Sequence, residues 1–151
     1  MNLTSALKTT RDLFEKLRRD AALLQETEVT SDKFSNFAVT GYSLIDWVKN
    51  DPSVPHSAKA DVTSLYSDHW LRICGDIANA SKHFSLTKRT PITSSVDSSQ
   101  GYGSGRLGTG YFGVGEEQIE ITLSDGTVIS VLDFVRNVIS TWESFLNKHG
   151  F

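Results

Sequence analysis

Apolar residues recur at alternating steps of three and four in four long stretches of this chain, and that spacing constrains its fold more than any other feature. Leu3, Leu7, Thr10, Phe14, Leu17, Ala21 and Leu24 fall on one line while Lys8, Arg11, Lys16, Arg18 and Arg19 fall off it, which predicts an amphipathic helix from Leu3 to Leu24. A second helix opens at the capping candidates Thr30, Ser31 and Asp32. It sets Phe34, Phe37, Ala38, Gly41, Tyr42, Ile45 and Val48 on one face and stops around Asn50, Asp51 and Pro52. A third begins in the polar stretch around His56 and Ser57, with Asp61 as a point of interruption. It carries Leu65, Tyr66, Trp70, Ile73, Cys74, Ile77, Ala80 and Phe84 inward and is expected to run to about Phe84. The last places Val131, Phe134, Val135, Val138, Ile139, Trp142, Phe145 and Leu146 at helical spacing. It ends on Lys148, His149 and Gly150, cations followed by a glycine that suits a helix C-terminus.

Between the third and fourth helices the texture changes, because residues 90–115 hold seven of the eleven glycines together with several serines. This reads as loop. After it Ile119, Ile121 and Leu123 alternate with Glu120 and Thr122, Asp125-Gly126 supplies a two-residue turn, and Val128 to Val131 returns as a second strand. The expected fold is therefore mainly α: a four-helix, up-and-down type bundle forming one domain over residues 1–151. A flexible Gly/Ser-rich segment at 92–115 and a β-hairpin at 117–131 are inserted before the last helix.

At 151 residues, 38% hydrophobic and 22% charged, the chain is long enough for one ordinary core. A formal charge of −3 argues against a general nucleic-acid-coating role. A lone Cys74 cannot close an internal disulfide, and neither a long apolar run nor a basic-apolar leader is visible, so a cytoplasmic protein with no membrane partner is expected.

The richest chemistry lies in the third helix, where 100° per residue stacks His69, Arg72, Asp76, Asn79 and His83 in one stripe beside the apolar one. Such a stripe is ordinarily a solvated face; the alternatives are an internal or dimer-seam polar network and a ligand site. Within it, Ala78-Asn79-Ala80-Ser81-Lys82-His83 resembles the signature of the HEPN superfamily, helical-bundle domains many of which are RNases of toxin and antiphage systems. Their motif runs arginine, a polar residue, three residues, histidine. Asn79 and His83 match, whereas Ala78 stands in the arginine's place. The resemblance implies a helical bundle, commonly dimeric, in which arginine and histidine act on an RNA phosphate. Without the guanidinium the main stabiliser of phosphorane-like charge is gone. Lys82 and Arg72 are the remaining cations nearby, but Arg72 is eleven residues from His83, about 16 Å along a helix axis, too far to share its phosphate.

His69, Asp76 and His83 are seven residues apart, about 10 Å, too far to share one ion, so no metal site is expected and no cofactor is indicated. Cys74 points to the apolar face, as an inert buried thiol would. Gly103 to Gly108 fits a dinucleotide glycine pattern but lacks the preceding strand and following helix that give the pattern meaning. Tyr102, Arg106 and Tyr111 form an aromatic and cationic set within the glycine-rich stretch, a candidate for stacking on a base or clamping a partner. Three readings of function follow. The first is a non-catalytic HEPN-like binding or regulatory module, homodimeric or with another protein partner, using the face formed by His69, Arg72, Asp76, Asn79, Lys82 and His83. The second is a divergent RNase with His83 as acid or base and Asn79 orienting it, which alone requires RNA as a partner. The third is an accessory structural protein without a ligand site.

Overall fold

The computed structural model describes residues 6–82, 90–99 and 118–151. Five α-helices and three strands follow in the order α1 (Thr10–Glu26), α2 (Ser31–Asn50), α3 (His56–Asp61), α4 (His69–Ala80), β1 (Thr93–Ser99), β2 (Gln118–Leu123), β3 (Val128–Ser130) and α5 (Val131–His149), with a 3-10 segment, Val62–Ser67, joining α3 to α4. The fold is mainly helical with a small antiparallel sheet.

Every long helix starts on a side-chain cap. Thr9 and Asp12 form a capping box, Thr30 accepts from the Lys33 N–H, Asp68 accepts from the N–H groups of Trp70 and Leu71, and Ser130 accepts from Asp133. Thr9 corrects the expected first helix, which begins at Thr10 rather than Leu3. Leu7 still packs against the core from the lead-in, and residues 1–5 lie outside the described set. Asp51, at the end of α2, accepts from the Thr10 N–H at 2.6 Å, so α1 is capped by its neighbour as well as by itself. Burial pulls the Asp51 carboxyl upward, but hydrogen bonds from the Ser53 hydroxyl, the Thr10 N–H and the Ser53 N–H together hold it below the usual carboxylate value.

The expected third helix is divided. α3 gives way at Asp61 to the 3-10 segment, and α4 restarts on the Asp68 cap. α4 ends at Ala80, with Ser81 and Lys82 in a turn, so it stops short of Phe84, which lies outside the described residues. Two of its supposed core residues are exposed. Ala80 faces out, and Tyr66 is 43% exposed, accepting a hydrogen bond from Lys49 Nζ on the surface of α2. The expected flexible segment is also corrected, because residues 93–99 form β1, antiparallel to β2 in the register Val96 to Ile121 and Ser98 to Ile119. β3 pairs on the other side of β2, giving the order β1-β2-β3. The 124–127 turn differs from a two-residue hairpin. The Gly126 N–H donates to the Leu123 carbonyl, and only Gly126 has positive φ, at 89°, which makes it the left-handed residue after a type I turn.

One cluster of buried side chains draws on all the helices and on β2 and β3. α2 lies at its centre: Phe34 and Phe37 meet Phe134 of α5 at ring separations of 5.7 and 5.8 Å, and Trp142 of α5 donates its indole N–H to the Gly41 carbonyl at 2.9 Å. Among the described residues no helix is long and apolar enough to cross a membrane.

Candidate functional site

The polar stripe foreseen on the third helix is not one surface. Asp76 is 3% exposed, and its Oδ2 accepts from the backbone N–H groups of Ile92 and Thr93 at 2.9 and 3.0 Å. It ties α4 to the entry of β1 through that oxygen. Asn79 is half-buried and donates to the Gly75 carbonyl one turn back, at 2.7 Å. His69 and Arg72 are exposed on the first turn of α4, His69 edge-on to Trp70. Lys82 is exposed beyond the helix end. His69 and Asn79 are ten residues apart, about 15 Å along the axis, so the structure does not bring them together. His83, Tyr102, Arg106 and Tyr111 lie outside the described residues.

Ala78 is 4% exposed and packs inward. The position where the HEPN motif carries arginine therefore faces the core, where a guanidinium would have no phosphate to meet. Cys74 is fully buried, and burial, followed by the nearby Asp68 charge, pushes its thiol above the usual range, which leaves it unreactive. Among the described residues no three metal-ligating side chains cluster.

What α4 does line is a cleft of about 520 Å³ against β1, with Ile77, Ala80, Pro91 and Val96 as its apolar wall and Ser94 and Ser95 at its rim. A smaller hollow of about 290 Å³ shares Ile77, Ala80 and Val96 with it and reaches Ser35 and Ser98. Thr93 Oγ1, buried at the cleft, has no hydrogen-bond partner among the described residues. Val96 pairs with Ile121 in the sheet yet stays 39% exposed, since β1 is an edge strand. Among the described residues no histidine, lysine, arginine or cysteine lines the cleft, and its one carboxylate, Asp76, is the one bonded to the Ile92 and Thr93 backbone.

A second group of polar side chains escaped the sequence reading. On α3, Ser57 and Asp61 stand four residues apart and both reach His149 in the last turn of α5. Ser57 Oγ lies 3.1 Å from Nδ1, and Asp61 Oδ2 lies 2.9 Å from Nε2. Lys148 Nζ donates to the same carboxylate oxygen at 2.8 Å. Hydrogen bonds from Lys148 and then His149 lower the Asp61 carboxyl to about 2. The i,i+4 spacing of Ser57 and Asp61 was the only local signal; the residue they share is 92 positions from Ser57.

No family model, curated protein or solved structure matches the chain.

Proposed function

We propose that this chain is a binding module of HEPN-like helical shape that does not cleave RNA, and that its first partner is a second copy of itself, joined through the edge of β1 beside the α4 cleft. The carrying observation is β1. Among the described residues it is a seven-residue edge strand with no lysine or proline; its one charge, Asp97, and the irregular register at Thr93–Ser95 leave apolar Val96 exposed at its middle, next to exposed Ala80. Edge strands in soluble proteins are ordinarily blunted by such residues or covered, and an antiparallel strand is self-complementary about a twofold axis. The burial of Ala78, which turns the motif's arginine position inward, and the apolar wall of the cleft among the described residues support binding over RNA cleavage.

Sedimentation equilibrium tests the proposal directly. The wild type should show a monomer–dimer equilibrium that Val96→Asp shifts at least tenfold toward monomer with an unchanged circular dichroism spectrum. A wild type that stays monomeric at all concentrations, or a dimer indifferent to Val96→Asp, would sink it. For the catalytic alternative, RNA cleavage by the wild type that is lost in His83→Ala would replace the binding module with an RNase.

A further inference from the structure

Ser57, His149 and Asp61 form a hydrogen-bonded series with the polarity of a nucleophile, a base and an orienting group. Asp61 already accepts from Lys148 and is held ionised, so it can only accept from His149. In the neutral imidazole the ring hydrogen therefore sits on Nε2, and Nδ1 is left as a lone pair facing the Ser57 hydroxyl at 3.1 Å. The His149 side chain is 7% exposed and lies 4.7 Å from the Phe145 ring, which fixes its orientation and shields it from bulk water. Ser57 is exposed, so an acyl donor can reach its oxygen. The roles are those of a Ser-His-Asp site with the two ring nitrogens exchanged, the nucleophile on Nδ1 and the carboxylate on Nε2, and either nitrogen of a neutral imidazole can serve as base.

We propose that Ser57 is an acylatable nucleophile, with His149 as its general base and Asp61 as the positioning residue, in an esterase-type site for small activated acyl esters. In the acylation step Ser57 Oγ bonds to the acyl carbon as its proton passes to His149 Nδ1. The bond to the leaving oxygen then breaks, and that oxygen takes the proton from Nδ1. Water repeats the path in the second step: its oxygen bonds to the acyl carbon, its proton goes to Nδ1 and on to Ser57 Oγ, and the carboxylic acid departs. Ser57 faces solvent, so the site suits donors whose leaving group needs little help. The site is separate from the α4 cleft and does not depend on dimer formation.

The experiment is acetylation by 4-nitrophenyl acetate, followed by intact mass and peptide mapping. The expected result is one fast adduct on Ser57, absent in Ser57→Ala, with acylation slowed at least about 100-fold in His149→Ala, the usual scale of a lost general base. Added imidazole should restore part of that loss, which a purely structural role for His149 would not allow. Asp61→Asn should lower the acylation rate constant with little change in the ester concentration that half-saturates it. Ser57→Ala and Asp61→Asn alter partly exposed groups, so they carry the test even where His149→Ala disturbs the α5 terminus. Acetylation at equal rates in wild type and Ser57→Ala, or adducts confined to lysines, would overturn the proposal.

Discussion

Asp76 stands where a ligand-binding carboxylate was expected, and it is spent on two backbone N–H groups sixteen and seventeen residues further along the chain. Asp76→Ala would strand both donors in a buried site, and hydrogen bonds to a charged acceptor are worth about 1.5–3 kcal/mol each. The expected loss is about 2–4 kcal/mol in urea denaturation, with Asp76→Asn losing less because its amide oxygen still accepts. A loss under about 1 kcal/mol for Asp76→Ala would show that the bonds are replaced by water. Helical spacing correctly put Asp76 beside the apolar stripe of α4, but spacing along one helix carries no information about which distant backbone returns to it. The same gap hid the Ser57–His149–Asp61 series, whose members are brought together only by the packing of α3 on α5. Leu44 shows the reverse case: buried at the heart of α2, it lay off the line drawn through Phe34, Phe37 and Ile45 because the real buried face is wider than one line.

Elements were legible where caps and periodicity agree. Thr30 and Asn50 bound α2 as read, and Gly150 closes α5 in the left-handed conformation, φ 75°. β1 was not legible, because Thr93-Ser94-Ser95-Val96-Asp97-Ser98-Ser99 has one apolar residue and no alternation; its extended form comes from pairing with β2 and from the Asp76 anchor at its start. Asp61 has its carboxyl lowered from 3.8 to about 2, so the α3–α5 contact contributes fully above the unfolded value and is lost as pH falls through the folded one. Stability of the wild type should therefore drop more steeply between pH 3.8 and about 2 than that of Asp61→Asn, and identical slopes would show that the carboxylate is not coupled to folding. At the meeting of α2, α4 and α5, a Cβ on Gly41 would lie 3.2 Å from Cys74 Sγ and 3.3 Å from Val138 Cγ1. Overpacking costs about 1–3 kcal/mol, while alanine recovers up to about 1 kcal/mol of helix propensity. Gly41→Ala should lose about 1 kcal/mol net in chemical denaturation; a gain would mean that the three helices move apart freely.

Among the described residues one buried cluster spans helices and sheet, running from Leu13 of α1 through α2 and α4 to Ile121 of β2 and Phe134 of α5. Phe134 is the sharpest probe of that continuity. It is fully buried, touches Phe34 and Phe37 across the α2–α5 seam, and lies in the first turn of the helix that follows directly on β3. Phe134→Ala should cost about 3–5 kcal/mol, the usual range for an aromatic deleted from a core. If helices and sheet fold as one cooperative unit, that cost appears as a single transition shifted to lower denaturant. Far-UV circular dichroism, which follows the helices, and the near-UV signal of the tryptophans, which includes buried Trp142, should then coincide in both wild type and variant. Coincidence in the wild type but not in the variant would show that the Phe134 contact keeps the packing of the bundle cooperative with its helices. Separate transitions in the wild type would mean that the packing around the tryptophans is lost before the helices, and the continuous core would then overstate the cooperativity.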